Sequence, residues 1–461
     1  MSSRTSRPAL IALFTAGYLA AYLLPTIVGR VAYSLRLSPT QAGLIGSALL
    51  LSSAAAGLTL AARVERVGAR RAARAGLILA AVGYGTAALA TTTPILVAGA
   101  MVGGFGSGTA TAVAATGIAA QKDPHRASTL GLLSVSALAC GLYLTIPRIS
   151  EGSSLPFAAL AATALAVWPA TRGLADPATP DNCAAQAPDS PLPHARSGLL
   201  LAVTLVCWSM AQNALWGVSS RIGTEQAGLS EVAVGSVFAV ALGVGLLGVI
   251  GAGAVGVRLG RALPIGAGTA AIACCVLLSA RADGLASFAS GEIAWNTLYP
   301  VVLSYVLGLA ASLDPRGRWA VLIGSASSLG TACGPLAGSV LSQSVGFPVM
   351  GAVLAVALLL LAVPLTAVTL HTGGRPLFAG AARRHSGAPV GAIVPPSGVL
   401  EQPVVELFDI EVPTAPAPAF TTFTAVGPDG VEPEPQPSVP EHWPSGQPEM
   451  SSSSYASTSA M

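Results

Sequence analysis

Residues 64–71 read VERVGARR and residues 255–262 read VGVRLGRA, which sets Gly260 192 positions after Gly68. Each is a short basic turn between two long apolar runs. A second pair of stretches keeps the same spacing: LSPTQAG begins at Leu37 and LSEVAVG at Leu229. A third nearly does, since Asp123–Pro124 of KDPHRASTLG recurs 191 positions on as Asp314–Pro315 of LDPRGRWAVLIG. Three loop motifs sharing one offset describe a unit of about half the chain used twice.

The medium around that unit follows from composition. The 461 residues are 52% hydrophobic and only 9% charged, against about 25% charged in soluble domains. Apolar runs bounded by charges, Gly/Pro clusters or polar turns number twelve: 8–29, 41–61, 73–92, 94–118, 127–147, 155–171, 198–219, 232–255, 263–280, 284–308, 319–341 and 345–369. Most reach the roughly 18–20 residues that cross a bilayer. The first run is too long for the core of a signal peptide and reads as a retained helix. The expected fold is an all-α polytopic membrane protein of twelve transmembrane helices in two pseudo-symmetric six-helix bundles. These occupy 1–175 and 198–370, joined by a Pro- and Ala-rich cytoplasmic linker, 176–197. Residues 371–461, rich in Pro, Ser and acid, cannot bury enough apolar surface to fold and read as a disordered cytoplasmic tail.

Placing the N-terminus inside puts 18 of the 23 Lys and Arg residues in cytoplasmic segments and five outside. The positive-inside rule therefore sets both termini in the cytoplasm, as an even number of spans requires. The expected location is the cytoplasmic (inner) membrane. The six cysteines fall mostly within apolar runs, with neither metal spacing nor a disulfide framework.

With these turns on the page, the chain resembles the major facilitator superfamily of secondary transporters over about residues 8–370. That family carries Gly-x-x-x-Asp-Arg-x-Gly-Arg-Arg between its second and third helices. Here AARVERVGARR has Glu65 in the acid's place and keeps Arg66, Gly68 and Arg70, while Ala61 and Ala69 depart from the pattern. The second copy keeps Arg258, Gly260 and Arg261 but has Val257 where the acid belongs. The resemblance implies a cytoplasmic gate: glycine for the tight turn, arginines to pair with acids or carbonyls at helix ends. In the fourth span AMVGGFGSG keeps Gly104, Gly106 and Gly108, but Ala100 replaces the arginine the family often uses in proton coupling. The exporter signature of the fifth helix is absent. A stretch close to it, GTACGPLAG (330–338), lies instead in the eleventh span.

The family's first, fourth, seventh and tenth helices line a central cavity, and the tenth span here contains SGEIAWNTLYP (290–300). Glu292 lies roughly 13 Å below the outer boundary near Asp283, close to the midplane. It also falls 192 positions after Ala100, where the arginine is missing. An acid there costs at least about 2.5–3.5 kcal/mol unless solvated, paired or protonated. Glu292 is therefore the candidate proton-coupling residue; its structural alternative is a permanently protonated side chain bonded to a neighbouring helix. Trp295, Asn296 and Tyr299 share its helix face. Trp208, Gln212, Asn213 and Trp216 form a similar stripe on the seventh span, and Tyr18 and Tyr22 on the first. Amides, phenols and indoles around one acid suit a neutral, aromatic or cationic organic solute. Arg30, Arg148 and Arg221 are expected in the outer vestibule; were Arg30 to enter the cavity, organic anions would return as candidates.

The expected activity is secondary active transport, export of a small amphipathic or aromatic molecule driven by the proton gradient, with no cofactor and no metal. The alternatives are a proton symporter importing an organic nutrient or anion, and a non-transporting receptor or scaffold that recruits a cytoplasmic partner through its tail. An enzyme is not expected: among five histidines only His125 precedes the central linker, and no nucleophile–base pair or phosphate loop is visible. The expected partners are the bilayer and a small-molecule substrate, not nucleic acid, with the chain a monomer.

Overall fold

The computed structural model describes residues 3–61, 67–121, 123–149, 152–174, 192–259, 261–314 and 318–373, with the pairs 390–391 and 405–406 beyond. Of the chain's two compact units, Met1–Asp409 and Ile410–Met461, the second lies outside the described residues. So do most of the linker and most of the expected disordered tail. Of the tail, only an antiparallel pairing of Val390–Gly391 with Val405–Glu406 is described.

The first unit is built of helices: α1 (Ser3–Tyr22), α2 (Leu24–Ser34), α3 (Pro39–Ala61), α4 (Ala69–Leu89), α5 (Thr93–Ala119), α6 (Pro124–Ile149), α7 (Ser154–Val167, prolonged by a tighter turn over Trp168–Gly173), α8 (Ala195–Arg221), α9 (Glu231–Leu259), α10 (Ala262–Ala280), α11 (Leu285–Leu313) and α12 (Arg318–Gly373). Ten of these are long and apolar enough to cross a membrane, and the bent pair α1 and α2 makes an eleventh span. The 56 residues of α12 would measure about 84 Å if straight, nearly three bilayer cores. It is not straight, because Gly346 leaves the helix at φ 76°, ψ 166°, a backbone that glycine adopts without the strain a Cβ would bring. Limbs 318–345 and 347–373 bring the crossings to the expected twelve. Large apolar side chains such as Leu247, Leu360 and Val363 remain 67% exposed on the outer surface, where lipid rather than water suits them.

The eleventh and twelfth are two helices as expected, meeting directly at the kink of Gly346. One span, the first, differs from the sequence expectation. It is not a straight run over 8–29 but a helix broken at Leu23 and bent by 47°. Its cause is Pro25, which has no N–H to give Ala21 O four residues back.

The internal repeat is visible in the backbone itself. Arg36 and Gly228, also 192 apart, are both left-handed, with φ 50° and 64°, each just before its copy of the LS motif. Glycine serves this bend in the second copy, whereas the first takes it with an arginine.

Within the first bundle, α4 and α5 lie backbone to backbone. A Cβ at Gly83 or Gly106 would run into the facing main chain, and one at Gly103 into the Tyr84 ring. Small residues serve this purpose in lipid, where close approach replaces the hydrophobic effect as the source of association. Tyr84 then reaches across to Ser107, hydroxyl to hydroxyl at 2.8 Å. In the second bundle the GTACGPLAG stretch of α12 does the same work: Gly330, Gly334 and Gly338 seat it on Val206, Asn213 and Ala214 of α8. Gly103→Leu is expected to force α4 from α5 and to lower stability by about 1–3 kcal/mol. Thermal unfolding of the detergent-solubilised protein reads this, and an unchanged midpoint would show the helices to be free to separate.

Candidate functional site

At the centre of the molecule α1, α6, α8, α9 and α11 bring their polar and aromatic residues together. The face of α11 predicted from sequence is buried: Glu292, Trp295 and Tyr299 are 0% exposed and Asn296 2%. Ser219 Oγ of α8 donates to Glu292 Oε1 at 2.9 Å. The Ser279 hydroxyl of α10 stands beside the same carboxyl group. Gly291 permits this, since a Cβ there would run into Ser279. Among the described residues no cation pairs with the acid, and its second oxygen, Oε2, accepts no hydrogen bond.

Beside the acid runs a ladder of rings. Trp216 stacks on Trp295 with centroids 5.6 Å apart, Trp295 on Tyr299 at 5.5 Å, and Tyr299 on Trp208 at 5.3 Å. The two α11 rings form the middle of the ladder and the two α8 rings its ends, because Trp208, Gln212 and Trp216 recur every four residues on one helix and Trp295 and Tyr299 on the other. Trp295 Nε1 donates to Gln212 Oε1, tying its middle. The top rung crosses to the other bundle, where Trp216 Nε1 donates to Ala21 O at 3.2 Å, the carbonyl that Pro25 leaves without a helical donor.

The remaining cavity candidates are placed less uniformly. The Tyr22 carbonyl accepts a hydrogen bond from Tyr143 of α6, and Tyr143 lies within electrostatic reach of Glu292. Tyr18 packs on Phe14, centroids 4.4 Å apart, one turn before Tyr22. Asn213 turns toward α12, where its Nδ2 donates to Thr331 Oγ1 at 3.2 Å as well as to Ser209 O of its own helix at 2.9 Å. Asn296 Nδ2 donates to Glu292 O at 3.0 Å.

Of the vestibule arginines, Arg30 is the most enclosed, at 2% exposure. It crosses between the bundles to Glu231 Oε2 at 2.7 Å, and donates to Gly152 O at 3.0 Å and Ile146 O at 3.4 Å. It is held away from the aromatic ladder. Arg221 forms a forked pair with Glu225, 2.8 Å at each oxygen, and lies 5.3 Å over the Phe347 ring. Arg148 is exposed and donates to Leu144 O. Around Arg30 the bundles meet closely: Thr40 donates to Gln343 Oε1 at 2.6 Å, Leu336 N to Ser47 Oγ at 3.0 Å, and Gly235 sits against the Tyr143 carbonyl.

Of the gate motif, Glu65, Arg66 and Gly260 and the side chain of Arg258 lie outside the described residues. Gly68 has φ 90°, which explains the glycine. Arg70 Nη2 donates to Arg172 O at 3.0 Å and Leu174 O at 2.9 Å, joining the start of α4 to the turn after α7 within one bundle. Arg261 immediately precedes α10 and makes no side-chain capping bond to it. Sequence reasoning did not find Ser219 or Ser279, whose type is too common to mark them. It also missed Glu231, although the repeat offered a signal: its counterpart 192 positions earlier is Pro39, so the acid is specific to one half.

Arg30→Ala should loosen the α2–α3 end. With Cys140, whose Sγ donates to Ala239 O across the bundles at 3.3 Å, as the sole cysteine, maleimide labelling should rise several-fold. The exchanged pair Arg30→Glu with Glu231→Arg should restore the slow rate. Labelling unaffected by either change would reduce the ion pair to an ornament of one conformation.

Comparison with known proteins supplies what this geometry belongs to. No curated protein sequence matches. Among solved structures, the nucleoside transporter NupG superposes with a TM-score of 0.64 at 12% identity, over 79% of this chain and 99% of its own. The human organic anion transporter MFSD10 (TETRAN) gives 0.59 at 18%, over 79% and 100%. A bacterial homologue of the human lysosomal transporter Spinster, inward-facing and unoccupied, gives 0.59 at 14%, over 81% and 95%. Identities this low show a shared fold. The family model described as Major Facilitator Superfamily matches residues 9–315, and the chain belongs to that superfamily of membrane transporters.

Proposed function

We propose that this transporter moves a small amphipathic or aromatic molecule outward across the cytoplasmic membrane, exchanging it for protons carried on Glu292. The observation that carries the reading is the enclosure of that carboxyl group: it is 0% exposed, meets hydroxyl groups, and adjoins a ladder of four aromatic rings. An enclosed acid with no counter-charge can be carried neutral, with its proton on, and can release that proton when the bundles part and admit water. Supporting the coupling role is the repeat position of Glu292, which takes over the place vacated at Ala100. For direction we take export as the reading: the positive-inside orientation would put the α2–α3 end, where Arg30 and Glu231 join the bundles, on the outer side. The closed outer end then leaves loading to the cytoplasmic side, with both termini inside.

The organic-anion alternative needed Arg30 in the cavity. Its engagement by Glu231 and two carbonyls argues against that use. A receptor or scaffold acting through the tail has no such observation in its favour. No cofactor is required, the proton gradient being the energy source.

The test is flux in proteoliposomes under an imposed pH gradient, screened with neutral, cationic and anionic aromatics. Compound-dependent proton movement is expected in the native protein and absent in Glu292→Gln, while exchange of substrate for substrate survives. Gradient-driven movement that persists in Glu292→Gln would return the acid to a structural role.

A further inference from the structure

Around the ladder several buried polar atoms meet no partner among the described residues, Tyr299 OH, Asn213 Oδ1, Asn296 Oδ1 and Glu292 Oε2 among them, and two more are N–H donors one turn apart on a single face of α8. Gln212 is fully buried, and its orientation is fixed by chemistry. The Trp295 indole N–H can only donate, so the Gln212 atom facing it must be the oxygen Oε1. The Nε2 end is thereby left outward as a donor, and among the described residues it meets no acceptor. One turn earlier on the same face Trp208, also 0% exposed, leaves its Nε1–H equally without an acceptor while its ring stacks on Tyr299. An unmade bond at a buried donor costs about 1–3 kcal/mol, so two side by side mark a place where an acceptor belongs.

These donors lie on the stripe that Trp216 continues, and Trp216 reaches the opposite bundle at Ala21. They therefore face the seam along which the bundles separate. Residues four apart on a helix stand about 5–6 Å from one another, the width of a single six-membered ring bearing two oxygens. Both nearby cations are engaged, Arg30 by Glu231 and Arg221 by Glu225, and Glu292, bonded by Ser219 through one oxygen, is the group assigned above to the proton.

We infer that the Trp208–Gln212 face of α8 is the substrate-recognition subsite, and that it takes a neutral planar ring system carrying two carbonyl acceptors. The flat ring lies on the aromatic ladder, and the two carbonyl oxygens accept from Trp208 Nε1–H and Gln212 Nε2–H. This rests on the transport reading and narrows it, since it excludes organic cations and simple hydrocarbons as preferred cargo. A ligand lacking the acceptors would leave both donors unpaired and lose affinity accordingly.

The test uses the full-length protein in detergent, with binding followed by equilibrium dialysis and by thermal unfolding. The diketo probes are caffeine, 1,3-dimethyluracil and 9,10-anthraquinone. The comparison probes are indole, benzyltrimethylammonium and 2-naphthoate. At least one diketo probe should bind about tenfold or more tightly than every comparison probe. Trp208→Phe, which keeps a smaller stacking ring but removes the N–H together with the five-membered ring, should weaken that probe about tenfold and weaken indole distinctly less. Gln212→Met provides a second variant, its folding checked by the unfolding midpoint, with the same pattern expected. Tighter binding of indole or of the cation, together with proton-driven flux of that compound, overturns this inference and leaves proton-coupled export standing. Absence of binding by any flat compound and of any proton-driven flux overturns both. Diketo binding that Trp208→Phe does not weaken removes the donor pair from recognition.

Discussion

A carbonyl without a donor is expensive in hydrocarbon, and Pro25 creates one at Ala21. In water the break would be healed by solvent, but inside a bilayer the donor must come from protein. It comes from the other bundle: the Trp216 indole N–H reaches Ala21 O at 3.2 Å. Much of the central architecture depends on that one bond. It draws α8 against α1, orients the Trp216 ring, and so sets the plane on which Trp295, Tyr299 and Trp208 stack in turn. A proline in one half and a tryptophan in the other thus act as a pair, although 191 residues separate them in sequence.

The same economy governs the ionised groups. Arg30 and Glu231 meet near the α2–α3 turn, with the arginine enclosed and the acid 38% exposed. Arg221 and Glu225 form their pair at the same end, within the last turn of α8 and the residues beyond it. Both cations are thereby spent on joining and shaping one end of the molecule. What remains at mid-depth is a carboxyl group surrounded by hydroxyls and rings. A fixed cation there would hold the acid permanently ionised, whereas serine hydroxyls can bond it in either state, as donors to the carboxylate or as acceptors from the acid.

The sequence carried a large part of this and lost the rest for identifiable reasons. Period and length revealed the spans, because a bilayer demands long apolar runs whatever the helices later pack against. The repeat was readable because its turns reuse the same residues, among them Gly68 at φ 90°, whereas the left-handed pair Arg36 and Gly228 was not, since an arginine does not announce that backbone. The face joining Glu292, Trp295 and Tyr299 followed from helical spacing alone. The bend at Leu23 did not, although Pro25 announced it, because an apolar run continues through the break. Nor did Ser219 or Glu231, which matter through partners on distant helices that no local pattern names. Asn213 shows a subtler limit. It lies on the predicted polar stripe of α8 beside the Tyr299 hydroxyl, and α12, seated through Gly334 and Gly338, brings Thr331 to the same amide.

That last contrast bears on how specificity arises in such a protein. Asn213 and Gln212 are neighbours with the same functional group, and both are fully buried. Asn213 spends its Nδ2 on Ser209 O and Thr331 Oγ1, so it fastens α8 to α12 and lends rigidity. Gln212 spends only its oxygen, on the ring of Trp295. One extra methylene carries its amide beyond its own helix to the ladder, where the remaining donor meets no acceptor among the described residues. Recognition and scaffold are thus divided between two adjacent amides by side-chain length. A change from glutamine to asparagine at 212 would conserve the chemistry and forfeit the reach, and with it the bond that holds the middle of the ring ladder.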